Sequence, residues 1–229
     1  MNGNDGQPHA RPVTRTPGAN AVVFGLKGSG KSSLVRSRLL PNHSRAVVVD
    51  PNREYGAVAV EVHSLEEWAD YAEQAGASWR VALFWPGLED DFEDICEAVW
   101  NVGNLLFVVE EADRFCDSSN IGDAFFRIVN YGRHTDAGTV DFLAVSRRPA
   151  DVNRTLTAQA YEIYCFSVQE PRDVKYLRER VGEAFAEGLP DFPQGRYRYM
   201  DLQDRSRGPQ DVVLFGPKML DKTPPVGVD

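Results

Sequence analysis

Short apolar runs alternate with amphipathic stretches along most of the chain. The runs Ala21–Phe24, Ala46–Val49, Val58–Val62, Val81–Trp85, Leu105–Val109, Val140–Val145 and Ile163–Val168 predict strands. Between them, Lys31–Leu40, Leu65–Gln74, Asp91–Val102, Ile121–His134, Asp151–Ala160 and Pro171–Val181 predict helices. Several strand runs are apolar at every position, the pattern of strands covered by helices on both faces. Regular alternation of strand and helix implies right-handed crossovers and a mostly parallel sheet. The expected fold class is therefore α/β, a mostly parallel central sheet flanked by helices on both faces.

The two ends break this pattern. Residues 1–18 are rich in Gly, Pro, Asn and Arg without apolar periodicity and predict a flexible arm. Residues 207–229 contain GPQ, GPK and TPPVG and predict a Pro-rich tail. Residues 19–206 remain as one domain, and a chain of 229 residues with 42% hydrophobic content supports one full core of that size.

Charge narrows the function classes. The formal net charge is -9, which argues against a protein whose whole surface grips nucleic acid. A local basic stripe stays open, because steering depends on where charge sits. From Glu61 to Glu97 there are eleven acids against one base, Arg80, whereas Arg127 to Arg180 holds nine Lys and Arg against seven acids. Cys96, Cys116 and Cys165 are odd in number and set among apolar residues, which predicts buried free thiols and a reducing compartment. No apolar run approaches the ~20 residues of a membrane span, and the N-terminus carries no apolar signal segment. The four histidines have no mutual metal-ligand spacing.

Candidate chemistry begins at residues 25–32, GLKGSGKS, which match G-x-x-x-x-G-K-[ST], the Walker A pattern. Average composition produces its four fixed positions on the order of once in a hundred chains of this length. The apolar run Ala21–Phe24 leads in and the helix-forming SSLVRSRLL leads out, as the motif requires. Gly25, Gly28 and Gly30 let the backbone curl with its N–H groups toward phosphate oxygens, and Lys27, Ser29 and Ser33 complete the expected cradle. The helix that follows adds its positive end. Lys31 is expected to reach the β- and γ-phosphates, and Ser32 to bind Mg²⁺ through its hydroxyl. The expected ligands are ATP and Mg²⁺.

LLFVVEEAD, Leu105 to Asp113, is a five-residue apolar run that ends in two carboxylates. The expectation is a metal role for Glu110 and a general-base role for Glu111, which would polarise the attacking water. The bland alternative is a solvated strand end before a helix N-terminus, where acids are also favoured. Val81–Trp85 lies between the two loops in sequence. A strand inserted between the two loop-bearing strands, together with a carboxylate base, marks hydrolytic motors rather than small-molecule kinases.

Several segments together resemble the FtsK–HerA superfamily of DNA-translocating ATPases. RAVVVDPNREYG (45–56) is similar to the family's second-strand motif and FVVEEAD to its Walker B. YGRHTDAGTVDFLAVSRRPADV (131–152) is similar to the approach to a strand ending in a polar-Arg-Pro motif, and GLPDFPQGRYRY (188–199) to a late return into an edge strand. The resemblance covers residues 20 to 200 and implies a P-loop NTPase of RecA/ASCE-like type. As a bare motor domain, the chain looks most like the genome-packaging ATPases of membrane-containing double-jelly-roll viruses. That likeness implies a ring, a hexamer, moving double-stranded DNA into a preformed capsid. It also implies capsid or membrane proteins at a portal vertex as partners, and a place in the host cytoplasm or on the virion.

The resemblance further implies an arginine finger at Arg133 and a sensor at Arg147, where the family usually has Gln. Each has a plainer reading: Arg133 as a cation at a helix C-terminus, Arg147 and Arg148 as structural ion pairs. The cluster Arg172, Lys175, Arg178 and Arg180 either faces DNA or is a solvated helix face. Asp50 either touches the nucleotide site or opens the Asp-Pro turn. A conjugation or mobile-element motor of the same superfamily, and a small-molecule kinase with arginines on a lid, are the alternative functions.

Overall fold

The computed structural model describes residues 20–215. The expected N-terminal arm and the end of the expected tail lie outside the described residues. Nine strands form one sheet: β1 (Ala21–Phe24), β2 (Arg45–Val49), β3 (Val60–Val62), β4 (Trp79–Leu83), β5 (Leu105–Val109), β6 (Val140–Ser146), β7 (Glu162–Cys165), β8 (Arg196–Asp201) and β9 (Gln210–Val213). Their order is β3-β4-β2-β5-β6-β1-β7-β8-β9. All pairs are parallel except β7–β8 and β8–β9, which are antiparallel.

The continuously apolar runs are explained by two cores, one on each face. Along β5, Leu105, Phe107 and Val109 enter one core while Leu106 and Val108 enter the other. The first face is covered by α2 (Leu65–Ala75), α3 (Phe92–Val102), α5 (Asp123–Tyr131), α6 (Arg154–Gln159), α7 (Pro171–Arg180) and α8 (Glu183–Ala186). The second is covered by α1 (Lys31–Leu34), which continues as a π-helix through Val35–Leu39, and by Tyr55. α4 (Ala112–Phe115) is a short turn after β5. Cys96, Cys116 and Cys165 are buried free thiols, as expected. Among the described residues no helix is long and apolar enough to cross a membrane.

Two sequence expectations change. The strand inserted between β1 and β5 is β6; the run at Val81, now β4, lies farther out between β2 and β3. Chain order does not fix sheet order, because crossovers reorder strands. The second change is at the C-terminal boundary. Gln210–Val213 lies within the expected tail 207–229 yet forms β9, so β8 is not the edge strand. Its sequence has almost no apolar alternation, and charge anchors it instead. Asp211 accepts from Arg198 Nε at 2.6 Å and from Arg196 Nη2 at 2.7 Å. Arg198 also donates to the carbonyls of Ala184, Phe185 and Glu187, closing the end of α8.

This bridge makes Arg198 a stability determinant. Arg198→Ala leaves Asp211 to Arg196 and removes the donor from three carbonyls, and urea unfolding is expected to register a loss of about 1–2 kcal/mol. A loss under about 0.5 kcal/mol would contradict this account of β9.

Candidate functional site

β1 ends inside the sheet, and the chain must turn sharply there. Gly25 sits at φ 147°, where a Cβ would lie 2.6 Å from Cβ of Phe166. Gly30, at φ 117°, is held between the rings of Phe166 and Phe215. Only glycine meets both demands, positive φ and close aromatic contact. Gly25 and Ser29 are buried behind the loop, while Lys27, Gly28, Gly30, Lys31, Ser32 and Ser33 face a cleft of about 540 Å³. The two residues read from the motif as cradle members thus shape the loop from beneath. Ser29 Oγ is buried without a hydrogen-bond partner among the described residues.

Lys31 is 9% exposed, and its Nζ donates to the Leu26 carbonyl at 3.1 Å across the loop. Burial lowers its pKa, and the facing Glu110 works in the opposite direction. The lysine is therefore poised over the loop and in need of a strong anionic partner.

The carboxylates reach the same cleft from β5, two strands away. Glu110 is 4% exposed and accepts a 2.5 Å hydrogen bond from the hydroxyl of Tyr55. Burial pushes its pKa up to about 7, against the pull of the Tyr55 hydroxyl and of Lys31. Glu111 follows in the left-handed region at φ 49°, half-exposed. Burial pushes its pKa upward, but Asn52, Arg147 and Arg114 together hold it below the ordinary carboxylate range. Arg147 Nη2 lies 3.2 Å from Glu111 Oε1, and Arg114 Nη1 lies 3.3 Å from Oε2. Two adjacent carboxylates are thereby driven apart in proton affinity, a common basis for dividing chemical roles.

Tyr55 was not singled out from the sequence as a site residue, although it lies in the DPNREY segment. Asp50 explains its placement: its carboxylate accepts from the N–H of Glu54 at 3.0 Å and of Tyr55 at 2.9 Å. Asp50 thus builds the turn, and β2 lies beside β5 rather than beside β1. The same turn brings Asn52, Arg53 and Glu54 to the cleft. Gln194 and Phe215 close the cleft on the other side of the loop, and no local signal marked them.

The arginines separate. Arg147 lines the cleft. Arg148 is a structural cation, its Nε 2.8 Å from the buried Asp173 carboxylate, whose other oxygen accepts from the Ala150 N–H. Arg133 stands at the opposite pole of the sheet, before β6, exposed and stacked 4.0 Å over the Tyr161 ring. It is not brought to this chain's own cleft. Arg172 pairs with Asp151, Lys175 with Glu179 and Arg178 with Glu183, which favours the solvated-face reading of that cluster.

Among the described residues no three His, Cys, Asp or Glu side chains are grouped as a metal cage. The donors that do converge are the hydroxyl of Ser32 and the carboxylates of Glu110 and Glu111. Oxygen donors this few fit Mg²⁺, which binds one or two protein groups and shares the rest of its shell with phosphates and water.

The pKa of Glu110 carries a testable consequence. Without nucleotide, the folded chain keeps a proton on Glu110 up to about pH 7, whereas the unfolded chain releases it near pH 4.5. The folded state binds more protons in that window, so this group's share of stability falls as pH rises through it. Melting of nucleotide-free protein is expected to show this decline, and Glu110→Gln to flatten it. An unchanged pH profile in Glu110→Gln would contradict the buried, proton-holding carboxylate.

No family model matches the chain. Protein P9 of Pseudoalteromonas phage PM2 is 23% identical over 205 residues, covering 86% of this chain and 91% of P9. The genome packaging NTPase B204 from Sulfolobus turreted icosahedral virus 2, in complex with ATP-gammaS, superposes with a TM-score of 0.73 at 19% identity, over 88% of this chain and 100% of B204. VirB4 of Thermoanaerobacter pseudethanolicus superposes with a TM-score of 0.56 at 12% identity, over 88% of this chain and 91% of VirB4. The fold is therefore that of an α/β P-loop NTPase, as the resemblance to the FtsK–HerA superfamily implied, and it is shared with a viral genome-packaging NTPase.

Proposed function

We propose that the chain is an ATPase that drives double-stranded DNA into a preformed viral capsid, working as a ring, with six subunits as the expected number. The observation that carries this is one cleft in which Lys31, Ser32, Glu110, Glu111 and Arg147 converge across an inserted strand. Agreement with B204 over 88% of this chain and the whole of B204, whose complexes include ATP-gammaS, supports ATP as the substrate and packaging as the work. The likeness to VirB4 supports a conjugation motor as the second reading. Sequestration of the α7 cations in ion pairs weakens the case for a kinase lid.

In this reading the loop N–H groups and Lys31 hold the β- and γ-phosphates, while Ser32 and Glu110 hold Mg²⁺. Mg²⁺ held by Ser32 and Glu110 would neutralise charge on the phosphates. Glu111 orients and polarises the attacking water. In the nucleotide-free chain Glu111 is tied to Arg147. A triphosphate offers Arg147 a competing anion, which frees one Glu111 oxygen for water. Arg133, remote from its own cleft, acts on the ATP of a neighbouring subunit and so couples hydrolysis to subunit contact. Backbone phosphate contacts grip DNA without sequence choice. Host cytoplasm or virion is the site of action, with capsid or membrane proteins at a portal vertex as docking partners.

The decisive test is the ATPase rate with and without double-stranded DNA, on material of known oligomeric state. Stimulation by DNA is expected, and a rate indifferent to DNA would oppose the motor reading. Lys31→Ala is expected to abolish turnover. Glu111→Gln is expected to bind ATP yet turn over at least about 100-fold more slowly, and a normal rate would remove Glu111 from the base role. Arg133→Ala, mixed into wild-type rings, is expected to depress activity more steeply than dilution. Simple proportionality would exclude action across the subunit boundary.

A further inference from the structure

The cleft has two ends, set by sheet order. Glu110, Glu111 and Arg147 follow β5 and β6, on one side of the β1 loop. Gln194 and Phe215 flank the β8–β9 hairpin, on the other side. A triphosphate whose reacting end lies by the carboxylates must send its nucleoside toward the second end.

That end is tied to the phosphate loop itself. Gln194 Nε2 donates to the Gly28 carbonyl at 2.6 Å, and the Gly195 N–H donates to the Ser29 carbonyl at 3.0 Å. Loop carbonyls that would repel phosphate are thereby turned aside and satisfied, leaving loop N–H groups for the anion. The Leu214 N–H donates to the Gly195 carbonyl at 2.8 Å, which sets the next residue, Phe215, on the loop. Its ring tip is 3.2 Å from where a Cβ on Gly30 would stand, and Phe215 lines the cleft half-buried.

We propose that Phe215 is the stacking platform for the base of the bound nucleoside triphosphate, with the β8–β9 hairpin as the element that presents it. This rests on the reading of the cleft as a triphosphate site. Stacking on an aromatic ring is tolerant of base identity, because every base has a π face. The prediction is therefore a site that accepts ATP and GTP with similar affinity and gains from a base of either kind.

The test compares magnesium ATPγS, magnesium GTPγS and magnesium tripolyphosphate, which has no base, by calorimetry on the full chain. Phe215→Leu keeps apolar bulk against Gly30 but removes the aromatic face. It is expected to weaken both nucleotides about tenfold, by analogy with base–aromatic stacking, and to leave tripolyphosphate affinity within about twofold. Phe215→Trp is expected to restore nucleotide affinity. Equal losses for nucleotide and tripolyphosphate would overturn the proposal and reduce Phe215 to a prop for the loop. Unchanged nucleotide affinity would overturn it by placing the base elsewhere. Lys31→Ala, run in parallel, tests the underlying site separately: wild-type affinity for tripolyphosphate in that variant would bring down the triphosphate reading itself.

Discussion

Three neighbouring parallel strands that end at the same pole of the sheet, β5 two residues short of β6 and β1, hold the site together. Val109 of β5 pairs with Ala144 of β6, and Ala144 with Val22 of β1. The segments that follow all three strands therefore emerge at the same pole of the sheet. Two strand spacings separate β5 from β1, about 10 Å, which is the scale of an extended triphosphate. Within that span stand a lysine short of an anion, a carboxylate that keeps its proton to neutral pH, and a carboxylate that does not. A register shift of one residue would turn every one of these side chains toward the wrong face.

The interior supports this arrangement by linking polar groups in series. Asp50 fixes the turn, the turn fixes Tyr55, and the Tyr55 hydroxyl fixes Glu110. Tyr55 is fully buried on the α1 face of the sheet, so its hydroxyl is aimed by packing as well as by hydrogen bonding. Glu110 is thus held by a partner that occupies one of its oxygens. The other side of the loop is supported differently, by backbone and amide donors from the hairpin that ends at Phe215.

Much of this was legible in the chain. The runs Ala21–Phe24, Ala46–Val49 and Leu105–Val109, which became β1, β2 and β5, were readable because each is buried on both faces and apolar throughout, and β6 because it departs from that pattern only at Asp141 and Ser146. Gly25 to Ser32 was readable because glycines, lysine and serine at fixed spacing serve one geometry. The place of β6 between β1 and β5 was not readable, since strand order is a long-range property. β9 was missed because QDVV is held by Asp211 and two arginines rather than by apolar periodicity. Tyr55 lies within the 45–56 segment but acts from beneath the cleft, through Glu110, and Phe215 carried no local mark of function because it reaches the cleft through a hairpin set by residues elsewhere. Charge counting over Arg127 to Arg180 overstated the free cations, because Arg148, Arg172 and Arg178 are all paired with carboxylates.

The central claim is that one pole of the sheet places the phosphate loop and the paired carboxylates around a single magnesium nucleotide. A crystal structure of the chain with Mg²⁺ and a non-hydrolysable ATP analogue tests it most directly. The account predicts phosphates within hydrogen-bond distance of Lys31 Nζ and the loop N–H groups, and a metal that touches the Ser32 hydroxyl on the side facing Glu110. A nucleotide seated elsewhere, or a metal remote from both Ser32 and Glu110, would contradict it.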